Sequence, residues 1–180
     1  MPEKIKSQIR IALIGPESSG KSTLSELLGK EFNCTVIPEY GRTFLAEKNG
    51  RYSEEEALHC IRSQFEAEMQ TEDSMIIIDT EAIMGKIWME DKFGHSPDWI
   101  TGIINDHPYD LYLLTYPDTE FIDDPVRENP GRREYFFNRY KNILEERKLP
   151  FVIIKGEWNQ RLKFAKQAVS DLLERNQRNT

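Results

Sequence analysis

The sequence has few cysteines and histidines, no excess of basic charge and no long apolar run, and each shortage closes off a class of function. Its two cysteines, Cys34 and Cys60, lack metal or redox spacing and read as small hydrophobes in a reducing compartment. His59, His95 and His107 share no zinc-ligand spacing with them or with one another, so they are assigned no chemistry. With 24 basic against 31 acidic residues the net charge is −7. Such a surface repels a phosphate backbone, and nucleic acid is not an expected partner. No apolar run approaches the roughly 18 residues that span a bilayer, and the polar start "MPEKIKSQ" lacks the apolar centre of a signal peptide. The expectation is a cytoplasmic protein without a membrane partner. The 9 prolines and 10 glycines are too few and too scattered for disorder. At 180 residues the chain suits one domain spanning 1–180, large enough to bury roughly 70% of its unfolded surface.

What is present is a set of short apolar runs: "IRIALIG" (9–15), "CTVIP" (34–38), "MIIID" (75–79), "LYLLT" (111–115) and "FVIIK" (151–155). They are continuous rather than alternating, as in strands buried on both faces of a parallel sheet. Helical spacing lies between them. Leu24, Leu27 and Leu28 share a stripe in 20–31, and Leu58, Ile61, Phe65 and Met69 share one in 53–73, where Ser53 and Glu56 have capping-box spacing. "SPDWITGIIND" predicts a shorter helix with Ser96 as its cap and Pro97 in the first turn. A short helix is expected over about 41–48 with Gly50 beyond its end, another with the stripe Phe136, Tyr140 and Ile143, and a last one over 158–173. Strands alternating with helices predict a doubly wound α/β domain of five parallel strands. The stretch 116–133, with three prolines, five acids and three arginines, is expected to be a mobile surface segment.

Gly15-Pro16-Glu17-Ser18-Ser19-Gly20-Lys21-Ser22 fits GxxxxGK[ST] in full and sits between a strand and an amphipathic helix, where a phosphate loop must sit. The glycines let successive N–H groups curl around phosphate oxygens, and the helix start adds its positive dipole end. Lys21 would reach the β- and γ-phosphates of ATP, and Ser22 would ligate Mg²⁺. The nucleotide-binding residues expected are Gly15, Glu17, Ser18, Ser19, Gly20, Lys21, Ser22 and Thr23. Asp79, ending "MIIID", is placed to hold the same Mg²⁺. Ligands of open α/β sheets bind outside the carboxyl ends of the strands, so Glu39 in "IPEYGR" should converge on that crevice and take the proton of an attacking hydroxyl. Arg42 would anchor the acceptor or pair with Glu39. Glu39 also suits the cap of the 41–48 helix. Arg127, Arg132 and Arg133 suit a lid closing over the transferred phosphoryl group, and equally a solvated basic cluster at a helix start.

"GPESSGKST", "PEYGR", "IIIDTE" and "DDPVRENPGRRE" together resemble the ribosylnicotinamide kinase domain of the NadR type, a small P-loop ATPase group; the similarity covers roughly residues 9–175. The resemblance implies transfer of the ATP γ-phosphate to the 5′-hydroxyl of nicotinamide riboside, with ATP and Mg²⁺ as cofactors. It also implies a sheet ordered 2-3-1-4-5 and a lid at about 117–133. By it Lys21, Glu39, Asp79, Arg127 and Arg132 are catalytic, Ser22 and Asp79 hold the metal, and Glu39, Tyr40, Arg42 and Glu81 bind the acceptor, Glu81 through a ribose hydroxyl. Tyr40, Trp88 and Trp99 are the aromatics that could stack on a pyridinium ring. NadR-type kinases are commonly fused to an adenylyltransferase, for which this length leaves no room, so a second step would need another protein. The lid is also shorter than the family suggests. Two other readings stay open: a kinase for another nucleoside, and an ATPase switch or binding module with no small acceptor. A GTPase is disfavoured because "DTEA" lacks the DxxG glycine and no NKxD motif follows; a ring-forming AAA+ machine needs a helical subdomain that does not fit after Val152.

Overall fold

The computed structural model describes residues 8–46, 48, 51–120 and 131–178. Five strands, β1 (Ile9–Ile14), β2 (Thr35–Ile37), β3 (Met75–Asp79), β4 (Leu111–Thr115) and β5 (Phe151–Ile154), form one sheet in the order β2-β3-β1-β4-β5. Every pairing is parallel, with Ile11 of the central strand beside Ile77 on one side and Leu111 on the other. Both the fold class and the strand order match the expectation.

The continuous apolar runs are explained by what each face meets. Successive strand side chains point to opposite faces. In β1, Ala12 and Ile14 enter one core with Ile76, Ile78 and Leu114, while Ile11 and Leu13 enter another with Ile77 and Leu113. The second core is closed by α1 (Lys21–Phe32) and α7 (Trp158–Arg178) through Leu24, Leu28, Ala165 and Val169. The first is closed by α3 (Glu54–Gln70), α4 (Ala82–Phe93), α5 (Asp98–Asp106) and α6 (Arg133–Glu146). A short α2 (Tyr40–Ala46) leads away from β2. Among the described residues no helix is long and apolar enough to cross a membrane.

The helix starts show where local signals suffice and where they mislead. Ser53 caps α3 with the full reciprocal box, Ser53 accepting from the Glu56 N–H and Glu56 from the Ser53 N–H. Ser96 does not cap α5: Pro97 occupies the cap position with no side-chain bond, and the buried Ser96 hydroxyl has no partner among the described residues. Proline at the cap fixes an extended backbone but offers no side-chain acceptor, so the entry is set by the chain rather than by Ser96. The expected stripe of α3 is also rotated. Met69 is exposed, and the inward positions include Gln64 and Glu68, because that side of the helix borders a cavity rather than dry core. Helix α4 has no amphipathic stripe to announce it, being inward-facing at Ala82, Ile83, Gly85, Ile87 and Met89. Its start is fixed by Glu81, whose carboxylate accepts from the N–H groups of Ile83 at 2.7 Å and Met84 at 3.1 Å. Helix α7 continues past Leu173 to Arg178. Gly50 and residues 121–130, which include Arg127 and most of the expected lid, lie outside the described residues.

Candidate active site

Beyond β1 the chain enters the loop that connects to α1, and neighbouring chain presses on it from both ends. A Cβ on Gly15, at φ 154°, would meet Thr115 Oγ1 at 2.2 Å and the Thr115 carbonyl at 2.7 Å, so only glycine lets β4 pass this close. Gly20, at φ 84°, is the left-handed cap of α1, and a Cβ there would reach the Trp158 ring at 3.0 Å. Ser19 Oγ donates to the Pro16 carbonyl at 2.7 Å and lies 2.6 Å from Thr115 Oγ1. Lys21 curls back over the loop and donates from Nζ to the carbonyls of Gly15 at 2.9 Å and Pro16 at 3.1 Å. The result is a cradle of backbone N–H groups at a helix start, closed by its own ammonium group, which suits an anion.

Arg161 holds this cradle from behind. Only 1% exposed, it donates to the carbonyls of Ser19 (2.9 Å), Gly156 (2.8 Å) and Tyr116 (2.7 Å), and pairs with Asp118. One guanidinium thus joins the phosphate loop, the stretch after β4 and the turn before α7. The sequence reading passed over it. A signal was there, since 161, 165, 168 and 172 share one helical stripe and only its first member is charged.

Across the crevice, Glu39 follows β2 and Asp79 ends β3. Asp79 is 2% exposed. Burial pushes its carboxyl above the usual carboxylate range, opposed by the Lys21 ammonium and by a hydrogen bond with the Ser22 side chain. Its Oδ1 has no partner among the described residues. A buried carboxylate oxygen left open beside a serine hydroxyl and a phosphate cradle fits a hard oxygen-liganded cation such as Mg²⁺, with Ser22 and Asp79 the residues that could hold it. Glu39 is pushed up chiefly by burial, with Lys21 and Arg42 working against that and Asp79 adding to it. The four charges therefore share one electrostatic neighbourhood.

A cavity of about 650 Å³ runs from the phosphate loop past Glu39 and Arg42 into a recess between α3 and α4, where Gln64, Glu68, Glu81 and Trp88 form part of its wall. Glu81 is buried, and burial pushes its carboxyl up to about 8 despite the two N–H groups it accepts. Glu68, 1% exposed, accepts from Tyr109 Oη and Arg10 Nη2, both at 2.6 Å, and burial pushes it up to about 7. Of the three aromatics considered from sequence, Trp88 lines the cavity, donating to the Tyr52 hydroxyl at 2.9 Å. Tyr40 stacks on Phe44 with its hydroxyl 3.2 Å from His59, and Trp99 lies beneath Arg62; neither is part of the cavity wall. The two described arginines of 127–133 part company. Arg132 pairs with Asp91 through two contacts of 2.6 and 2.8 Å, whereas Arg133 lines the cavity and donates to the carbonyls of Thr119 at 2.8 Å and Ser18 at 3.4 Å. Gln64 and Glu68 went unnoticed in the sequence because polar residues on a helix read as its solvated side.

Comparison with known proteins places this geometry. The trifunctional NAD biosynthesis/regulator protein NadR of Escherichia coli is 27% identical over 156 residues, covering 82% of this chain and 38% of its own length. The chain thus spans well under half of the curated relatives it matches. The crystal structure of a NadR protein in complex with NR superposes with a TM-score of 0.77 at 21% identity, over 92% of this chain and 50% of that one. Deoxyadenosine kinase from M. mycoides, with products bound, gives 0.66 at 12% identity over 91% of this chain and the whole of its own. At these identities the solved structures establish a shared P-loop fold. The AAA domain family matches residues 10–161, from the central strand through the phosphate loop to Arg161, and the chain belongs to that family.

Proposed function

We propose that the chain is an ATP-dependent phosphotransferase that moves the γ-phosphoryl group of ATP to the 5′-hydroxyl of nicotinamide riboside, giving nicotinamide mononucleotide and ADP. The observation that carries the reading is the continuity of the cavity: one space joins the phosphate loop, the Glu39 carboxylate and an acid- and aromatic-lined recess large enough for a second small molecule. A nucleotide switch has no use for that recess. The NadR relatives, one named for NAD biosynthesis and one solved in complex with NR, support the pyridinium riboside over other acceptors.

The chemistry follows from the groups in place. The loop N–H groups and Lys21, transferred from the Gly15 and Pro16 carbonyls to the β- and γ-phosphates, bind and orient the donor. Glu39 accepts the proton of the 5′-hydroxyl as its oxygen bonds to the γ-phosphorus; the bond from that phosphorus to the β,γ-bridging oxygen breaks and ADP departs. A carboxylate whose affinity for protons burial has raised is a better base than an ordinary glutamate. Mg²⁺, held by Ser22 and Asp79, neutralises charge on the phosphates when bound. Arg133, already at the Ser18 carbonyl, is the arginine positioned to meet the donor phosphates, and Arg42 anchors the acceptor beside Glu39. The kinase is one domain, working in the cytoplasm where ATP is supplied.

A kinase for another nucleoside is the second reading, favoured by the fold shared with deoxyadenosine kinase. The test is ADP release from Mg²⁺-ATP with no acceptor, with nicotinamide riboside and with a panel of ribo- and deoxynucleosides. Stimulation by nicotinamide riboside is the expected result; stimulation by a different nucleoside alone replaces the acceptor, and release indifferent to every acceptor replaces the kinase with a switch.

A further inference from the structure

The wall of the recess contains a hydrogen-bonding pair that phosphoryl transfer does not use. Gln64, 7% exposed, accepts the Tyr40 N–H with Oε1 at 2.8 Å. That bond fixes which end of the amide is which, since only the oxygen can accept. Among the described residues Nε2 is left buried with no hydrogen-bond partner, a condition that is costly unless a ligand relieves it. One helical turn further along α3, on the same face, stands Glu68. Among the described residues its hydrogen bonds, from Arg10 and Tyr109, fall on Oε2, leaving Oε1 outside them. Gln64 and Glu68 both line the cavity. A donor and an acceptor side by side on one wall match a group that itself presents an acceptor beside a donor. A primary carboxamide does this; a carboxylate presents two acceptors.

We propose that Gln64 and Glu68 read a carboxamide on the acceptor's ring, Gln64 Nε2 donating to the amide oxygen and Glu68 Oε1 accepting an amide N–H, so that the amide is taken and the corresponding acid is refused. This rests on the kinase reading above and sharpens it by assigning the side chains that read the acceptor's amide. An acid in the same seat sets two carboxylates against each other in a desolvated recess and leaves Glu68 without its N–H. A site built around such a bond rejects a ligand that lacks it far more strongly than an apolar pocket rejects a methylene. Trp88, on the wall of the same recess, supplies an aromatic surface for the ring that carries the amide.

The experiment is a comparison of kcat/KM for nicotinamide riboside and nicotinic acid riboside at saturating Mg²⁺-ATP, in the natural protein and in Glu68→Gln and Gln64→Glu, with KM for ATP and thermal unfolding followed alongside. The natural protein is expected to favour the amide by about 10²-fold or more. Glu68→Gln replaces an acceptor with a group that also donates and should raise kcat/KM for the acid riboside, drawing the ratio towards one. Gln64→Glu keeps an acceptor for the Tyr40 N–H but removes the donor, and should lower kcat/KM for the amide riboside at least tenfold with KM for ATP unchanged. Should Glu68→Gln fail to fold for want of its contact with Arg10, the Gln64 variant decides alone. A natural protein that phosphorylates the amide riboside while both folded variants keep its preference overturns the amide-reading pair and leaves the kinase standing. A natural protein that phosphorylates neither riboside removes both.

Discussion

The two halves of the cavity are built on different principles. The donor half, from Gly15 to Ser22, is made of backbone: its N–H groups, its left-handed residues Ser18 and Gly20, and carbonyls tied down by Lys21, Thr119, Arg133 and Arg161. The acceptor half is made of side chains drawn from three separate places, with Glu39 ahead of α2, Gln64 and Glu68 on α3, and Glu81 at the head of α4 with Trp88 two turns beyond it. A phosphate has the same shape in every nucleotide and can be met by main chain alone. An acceptor differs between enzymes and must be met by groups that substitution can change.

That contrast is broken most directly at Lys21. Lys21→Ala should abolish transfer to every acceptor, by about 10³-fold or more in kcat, measured as ADP release; a rate near that of the natural protein would mean that the donor half is not where ATP binds. Glu39→Gln should cost about 10²–10⁴ in kcat with ATP binding unchanged, confining the damage to the other half. Because burial raises the Glu39 carboxyl, its basic form is lost as the pH falls, at a pH above that of an ordinary glutamate. The acid limb of the kcat profile should therefore lie high and vanish in Glu39→Gln. A limb in the ordinary glutamate range would remove Glu39 as the base. Arg161→Met tests whether the backbone cradle needs its support: leaving the Ser19, Gly156 and Tyr116 carbonyls without their donor should cost about 1–3 kcal/mol of stability by thermal unfolding, and should raise KM for ATP while leaving KM for the acceptor alone. The smallest effect separates the two arginines at the start of α6, Arg132 in the cap position and Arg133 in the first turn. Arg133→Ala should reduce kcat more than Arg132→Ala, whose ion pair with Asp91 is half exposed and worth little; the reverse order would return Arg132 to the phosphates.

The same contrast decided what could be read from sequence. The phosphate loop was legible because its glycines, lysine and serine are consecutive and lie between a strand and a helix that betray themselves by period. The strands were legible because burial on both faces of β1, β3 and β4 leaves continuous apolar runs, with the charged side chains Arg10 and Asp79 confined to the strand ends. Asp79 and Glu39 followed as acids at strand ends. Gln64 and Glu68 were not legible, since an inward polar pair looks like a solvated helix face until the cavity beside it is known. Helix α4 left no trace because its apolar residues are spread around the helix rather than gathered in one stripe, and Arg133 could not be told from Arg132 without its contact with the Ser18 carbonyl.

Glu81 joins two duties that are usually separate. It caps α4 by taking the N–H groups of Ile83 and Met84, and it lines the acceptor cavity. The residues that can cap a helix start are a short list of side chains carrying an accepting oxygen. Any drift in acceptor preference that passes through this position is therefore confined to that list: a change to a hydrocarbon or a cation there would loosen the first turn of α4 before it could reshape the pocket. Inherited variation in specificity should accordingly gather at positions such as Trp88, which holds no helix start, while position 81 stays oxygen-bearing whatever the acceptor.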